Sequence, residues 1–363
     1  MPELGGFNQI LFFLLVITPI VFIHELGHYW AARRAGVVVE VFSIGFGPEL
    51  YAWMDRHGTR WRIAALPLGG YVKMRGDQNA ASIASASARR IEGSFAGAGV
   101  FQRIGIVAAG PIANFLLGIL LFAGIYMGAG KAFIPPVIGE VMEEGAAIEA
   151  GLKEGDKILA IDGVNIDDFN EMRAIIFENP NRELLFEIDR RGDNFTLPVT
   201  LKSAYSREYD LHYGVLGVRS STVGEFRKLG VAEALYTATI DTVNLCAAML
   251  RGIGRLVTGQ ASSGEIGGPV RIAELSADAA QQGLAAFIIF TALISINLGL
   301  INLFPIPALD GGHLVFFLIE AVIGKPLPEG VQDKLNRVGV SLLLSPMVVV
   351  ISLDIVRKFT NWG

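Results

Sequence analysis

Four stretches of this 363-residue chain hold no charged side chain: 7–23, 104–130, 279–309 and 338–353. Within them apolar residues follow one another without the alternation of a half-buried strand or the polar stripe of a surface helix. A helix that crosses hydrocarbon needs about 20 such residues, within a range of roughly 17–25. The pattern predicts four spanning helices, at about 7–30, 104–129, 281–304 and 338–356. The last is the shortest and relies on Arg337, Arg357 and Lys358 snorkelling at its ends.

The segments between the spans have other patterns. Residues 60–74 read as strand, glycine turn at Gly69 and Gly70, strand, which predicts a β-hairpin at about 60–75. Residues 76–99, rich in Ala, Ser and Gly without period, predict a loop. From 134 to 204 charges separate short apolar runs, with strands expected at 137–142, 157–161, 184–189 and 195–201 and a helix at 169–177. This is an α+β domain of a size that folds alone. Residues 231–256 form an apolar helical pattern interrupted by Glu233, Asp241, Arg251 and Arg255. An aspartate in mid-span costs about 2.5–3.5 kcal/mol, so this helix is expected to be amphipathic and to lie on the membrane or against the spans. The expected division is an N-terminal membrane part (1–133), a soluble domain (134–204), a linker with the amphipathic helix (205–278) and a C-terminal membrane part (279–363).

Composition supports this reading: 52% of residues are hydrophobic and 18% charged, against about 25% charged in a soluble domain. The net charge of −5 suggests no nucleic-acid partner. Charge distribution sets the orientation. Residues 1–8 hold one acid and no Lys or Arg, whereas Arg33, Arg34, Arg56, Arg60, Arg62, Lys73, Arg75, Arg89, Arg90 and Arg103 follow the first span. Basic loops stay cytoplasmic, which puts the N-terminus and the soluble domain outside and the hairpin inside. The first apolar run lacks a basic n-region and a small-residue cleavage site, so it is expected to be a span and not a cleaved signal. The lone Cys246 excludes an intramolecular disulfide and is expected to be apolar filler.

Chemistry concentrates in the first span, in His24-Glu25-Leu26-Gly27-His28. Histidines four apart share one helix face, one turn apart, and two neutral imidazoles so placed can bind one zinc ion (Zn2+). Glu25, between them, can accept a proton from an attacking water and return it to a leaving amine. Any one of these residues alone would be an ordinary core side chain. Together in a lipid-embedded helix they are expensive unless a metal compensates. Catalytic zinc has three protein ligands and one open position, so a third donor is needed. Asp310 ends the third uncharged run, inside Asn302-Leu303-Phe304-Pro305-Ile306-Pro307-Ala308-Leu309-Asp310-Gly311-Gly312, whose prolines and glycines break a helix at membrane depth. A plain helix cap is the other role open to Asp310. His313 is a competing donor, expected beside the site; His57 and His212 lie in polar segments.

These residues resemble the site-two protease family of intramembrane metalloproteases, in its bacterial branch of RseP-type envelope-stress regulators. The likeness covers nearly the whole chain. Ala109-Gly110-Pro111-Ile112-Ala113-Asn114-Phe115 resembles that branch's second-span motif, and Pro67-Leu68-Gly69-Gly70-Tyr71-Val72-Lys73-Met74 its membrane-associated β-hairpin. Gly145-Ala146-Ala147-Ile148-Glu149-Ala150-Gly151-Leu152-Lys153-Glu154-Gly155-Asp156-Lys157-Ile158 resembles a PDZ core, with Ala146 where a proline is common. There is room for one PDZ domain, where some members carry two in tandem.

The resemblance implies a membrane α-helical bundle of four transmembrane helices, a cytoplasmic-side membrane β-hairpin and one external PDZ domain. It implies that His24, His28 and Asp310 bind zinc, that Glu25 is the general acid/base, and that Asn302 hydrogen-bonds the substrate backbone or a developing oxyanion. An extended substrate is expected to add to the hairpin near Gly69 and Gly70. Asn114 either supports the site or packs its span. The implied substrates are transmembrane proteins of the bacterial inner membrane, such as an anti-sigma factor after a first external cut, and signal-peptide remnants. Two other classes compete: a non-catalytic PDZ-bearing adaptor with a structural zinc site, against which the intact Glu25 argues, and a metal transporter, against which the lack of acids and histidines in the second span argues.

Overall fold

Two of the charge-free runs fold as unbroken helices of 29 residues each, α1 (Gly6–Arg34) and α2 (Val100–Gly128). The computed structural model describes residues 6–76, 91–143, 145–206, 211–220, 225–257, 268–328, 330–342 and 345. A third apolar helix, α7 (Leu284–Asn302), has 19 residues. Among the described residues these three are long and apolar enough to cross a membrane, so the chain is a multi-pass membrane protein. The fourth expected span starts in helical residues 338–342, and apart from residue 345 the rest of it lies outside the described residues, as do residues 77–90 of the expected loop.

Between α1 and α2 run two long strands, β1 (Val39–Met54) and β2 (Arg60–Met74). Beyond α2 come β3 (Lys131–Phe133), β4 (Ile138–Val141), α3 (Ala146–Glu149), β5 (Lys157–Ile161), β6 (Val164–Asn165), α4 (Phe169–Glu178), β7 (Glu183–Arg190) and β8 (Asp193–Thr200). They are followed by β9 (Lys202–Ser206), β10 (Leu211–Val215), β11 (Val218–Ser220), β12 (Glu225–Arg227), α5 (Val231–Val257), α6 (Pro269–Gln281), α7 and α8 (Asp310–Ile323). The chain divides into two compact units, and 126–231 forms most of the second.

In the first unit the expected hairpin is longer than 60–75 and its turn is elsewhere. β1 pairs antiparallel with β2, and the turn is 55–59. The Asp55 carboxylate holds it by accepting the His57 and Thr59 amides, the Tyr29 hydroxyl and the Trp61 indole N–H at 2.8–3.0 Å. Gly69 and Gly70 lie within β2. β1 contains Gly45, Gly47 and Pro48, which read as breakers; here they let the strand bend and pair twice. Residues 39–44 lie opposite 74–70, residues 41–44 also lie opposite 60–63, and 49–54 lie opposite 64–60. The ladder thus has four rungs in the order 49–54, 60–64, 39–44, 70–74, and the last is an edge.

The sheet packs on α1 through aromatic edges. Phe42 meets Phe22 and Tyr29 edge-on and stacks on Trp61 at 4.2 Å between centroids. One buried cluster joins Ala32 of α1, Phe42 and Val72 of the sheet, Ile106 and Val107 of α2, and Phe317 of α8. α1 and α2 touch closely, since a Cβ on Gly27 would lie 2.3 Å from the Ala109 carbonyl oxygen. α2 and α7 mesh at Gly118, where a Cβ would reach 2.4 Å from Ile296. Small residues at such crossings let backbones approach where lipid gives no hydrophobic drive. Arg103 of α2 and Glu320 of α8 form a buried two-pronged ion pair at 2.8 and 3.0 Å, with the guanidinium over Phe317.

The second unit extends beyond 134–204. A four-stranded antiparallel sheet, β6-β5-β7-β8, carries three of the expected strands, the one expected at 137–142 is β4 outside it, and α4 opens with an Asp168–Glu171 capping box. Its margins close through strands of the stretch expected to be linker: β4 pairs with β11, β3 with β12, and β9 with β10. β3, β11 and β12 have three residues each and show no alternation to read, so the sequence pattern missed them. Burial would push the Asp156 carboxyl up, but Arg190 at 2.6 Å and the Lys153 amide hold it below the usual carboxylate range. Further along the expected linker, 231–257 and 269–278 are helical. α5 takes the place of the amphipathic helix, burying Ala234, Ala238 and Thr242 at four-residue spacing, and α6 packs on α1.

Candidate active site

α1 brings the two histidines to one face, with ring centroids 4.8 Å apart and planes at 84°. Their Nε2 atoms are 3.2 Å apart. The tautomer of His28 follows from its partner. Its Nδ1 lies 2.9 Å from the Ile106 carbonyl oxygen, which can only accept, so Nδ1 carries the proton and Nε2 keeps its lone pair. Gly110 of α2 provides the space beneath both rings: a Cβ there would lie 2.3 Å from His28 Nε2 and 2.9 Å from His24 Cε1. Behind His24, Asn114 Nδ2 lies 3.2 Å from its Nδ1.

Asp310 arrives from the other end of the sequence. α7 ends at Asn302, irregular residues 303–309 follow, and Ala308 sits at φ +82°, a strained position for a residue with a Cβ. α8 starts at Asp310, but its N-cap is Leu309 and no side chain caps it. The carboxylate turns to the histidines: Oδ2 is 3.2 Å from His24 Nε2 and 3.5 Å from His28 Nε2, buried and without a hydrogen bond. Three lone pairs thus converge, which is repulsive without a cation. A tetrahedral zinc ion with bonds of about 2.0–2.2 Å separates its ligand atoms by about 3.3–3.6 Å. The donors have that spacing and chemistry, and all lie within 4.8 Å of one another. The residues present fit zinc.

A cavity of about 150 Å³ opens on these donors, with Glu25, Gly70, Val72, Leu309 and His313 in its wall. Glu25 hydrogen-bonds the Val72 backbone in the edge rung. Gly70 lies over it: a Cβ there would meet Glu25 Cγ at 3.1 Å and the Ser43 carbonyl oxygen at 2.7 Å. Gly69 instead faces the Phe46 ring. Asn302, half-buried at the end of α7, is not among the residues lining the cavity. His57 and His212 are exposed elsewhere. Gly110 was missed as a site residue because its function is the space it leaves; the motif around it was the only sign. In the second unit a separate groove of about 400 Å³ lies between α4 and residues 213–218, with Phe169, Met172, Ile176, Tyr213 and Leu216 in its wall.

The model of peptidase family M50 matches residues 12–346. A provisionally named zinc metalloprotease of Agrobacterium fabrum is 40% identical over 355 residues, covering 94% of this chain and 94% of its own. The metalloprotease MmpA of Caulobacter vibrioides is 35% identical, covering 98% of this chain and 97% of its own. Among solved structures, a PDZ domain of an SdrC-like protein from Listeria monocytogenes aligns with 25% of this chain and 88% of its own at 16% identity and a TM-score of 0.21. A family match that runs almost end to end, with relatives of this identity along nearly their whole length, makes the chain a member of peptidase family M50 and a zinc metalloprotease.

Proposed function

We propose that this protease hydrolyses peptide bonds inside the transmembrane segments of single-span membrane proteins. The observation that carries the reading is the placement of His24, Glu25 and His28 within α1, a helix apolar enough to span a bilayer. In the setting proposed, regulated intramembrane proteolysis in the bacterial inner membrane, the substrate is an anti-sigma factor already trimmed by an external cut. Signal-peptide remnants form a second class. The basic residues after the first span support a cytoplasmic sheet, with the N-terminus and the second unit periplasmic. The second unit is read as a PDZ domain on its Gly145–Ile158 motif, with its groove receiving the C-terminus left by the first cut.

His24, His28 and Asp310 hold the metal. When bound, zinc supplies Lewis acidity, acidifying water and polarising a carbonyl. Glu25 accepts the proton of the attacking water and returns it to the leaving amine. Asn302 donates its amide to the substrate backbone or the developing oxyanion. A substrate helix keeps its carbonyls in internal hydrogen bonds, so it must unwind first. The edge rung 70–74 offers the unwound segment a new ladder beside Glu25.

This strand-addition step has its own test. Gly70→Leu is expected to lower turnover about 10²-fold by displacing Glu25 or the incoming strand, with zinc retained; unchanged turnover would count against it. The reading as a whole is tested with purified protein in detergent or vesicles and a model single-span substrate, with and without chelator, the product mapped by mass spectrometry. The expected product is cut within the apolar segment, is lost with chelator and returns with zinc. Cuts confined to the soluble flanks would overturn the reading, and binding without any cut would favour the adaptor.

A further inference from the structure

Asn114 is fully buried, yet its Oδ1 has no hydrogen-bond partner, while its Nδ2 lies 3.2 Å from His24 Nδ1. Those two facts conflict with a ligating His24. Its Nε2 faces His28 Nε2 and Asp310 Oδ2 and must offer a lone pair to a metal. The imidazole proton then sits on Nδ1, and an N–H would point at an amide NH2, donor against donor. A half-turn of the Asn114 amide exchanges Oδ1 and Nδ2 and removes the conflict. The flip trades an unpartnered oxygen for an unpartnered amino group, but it gives the Nδ1–H an acceptor.

We infer that Asn114 is a positioning residue whose side-chain oxygen accepts the His24 Nδ1–H, fixing the tautomer in which Nε2 faces the zinc. It does for His24 what the Ile106 carbonyl does for His28. Metal-bound histidines keep their affinity and orientation through such an acceptor. The backbone around Asn114 is held independently of the side chain. Ser295 donates its hydroxyl to the Asn114 carbonyl at 2.8 Å, and Gly299 of α7 packs on the Asn114 Cβ. The side chain is therefore not needed to join α2 to α7, and its amide points away from that contact to the ligand.

The inference rests on His24 being a metal ligand, and the variants separate the two claims. Zinc and cobalt affinities are measured by competition with a chromophoric chelator on purified protein, with the visible cobalt spectrum and the melting temperature of the metal-free form. Asn114→Leu, of similar volume without an acceptor, is expected to lose about 10–100-fold in affinity. Asn114→Asp, which keeps the acceptor, is expected to hold affinity within about threefold of wild type and to keep the cobalt spectrum. Both metal-free forms are expected to melt near wild type. Wild-type affinity in Asn114→Leu, or equal loss in Asn114→Asp with normal melting, would overturn the inference. His24→Ala checks the premise: retained metal there would remove the ligand assignment itself, whereas lost metal there beside full affinity in Asn114→Leu removes only the role of Asn114.

Discussion

Glu25→Gln is expected to keep its metal and to slow cleavage of a single-span substrate by about 10²–10⁴-fold. Glutamine has the shape of glutamate and can still meet the Val72 backbone, but it cannot accept a proton at neutral pH. The three donors that converge on the metal position are His24, His28 and Asp310, so the change leaves the coordination set intact. Metal content by elemental analysis and turnover under single-turnover conditions should therefore separate. Turnover within about tenfold of wild type would assign the proton transfer to another group in the cavity, with His313 the first candidate.

Gly110→Val is expected to do the reverse, weakening metal binding without replacing any donor residue. Its Cβ alone would stand 2.3 Å from His28 Nε2 and 2.5 Å from His28 Cε1. Neither side can give way, because α1 and α2 already touch at Gly27 and Ala109. Tilting both rings should lower zinc affinity by about 10²-fold or more, with activity falling in step. Gly105→Ala is the control on the same helix: nothing lies within 4 Å of its added Cβ. That variant should bind zinc like wild type and gain slightly in helix propensity. Equal zinc affinity in Gly110→Val and wild type would mean that the rings do not need this space.

Parts of this site were legible because their signals are local or costly. The His24–His28 run has helix spacing, and ionisable groups in an apolar segment demand a reason. Asp310 stood out because prolines and glycines break the chain around it. The distances from Asp310 to the two histidines, 3.2 and 3.5 Å, depend on α1 and α8 meeting and could not be read from either alone. The sheet was half legible. Residues 60–74 alternate enough to be seen, but Gly45, Gly47 and Pro48 hid β1, and no local pattern tells that residues 41–44 pair on both sides. The closing strands of the second unit were illegible for a related reason. Their partners lie about 80–95 residues away, and strands of three residues carry no period. The Arg103–Glu320 pair spans 217 positions, and sequence offered only two charges next to apolar runs.

That ion pair constrains how a substrate can reach the metal. Pulling Arg103 from Glu320 leaves buried charges uncompensated and costs about 3–5 kcal/mol, so the seam between α2 and α8 parts only rarely. The two helices therefore behave as one wall, pinned near the C-terminal end of α8, ten residues along the helix from Asp310. A path wide enough for a polypeptide has to open on another side of the first unit, and the edge at 70–74, which lines the cavity beside Glu25, is the flank that offers a free ladder.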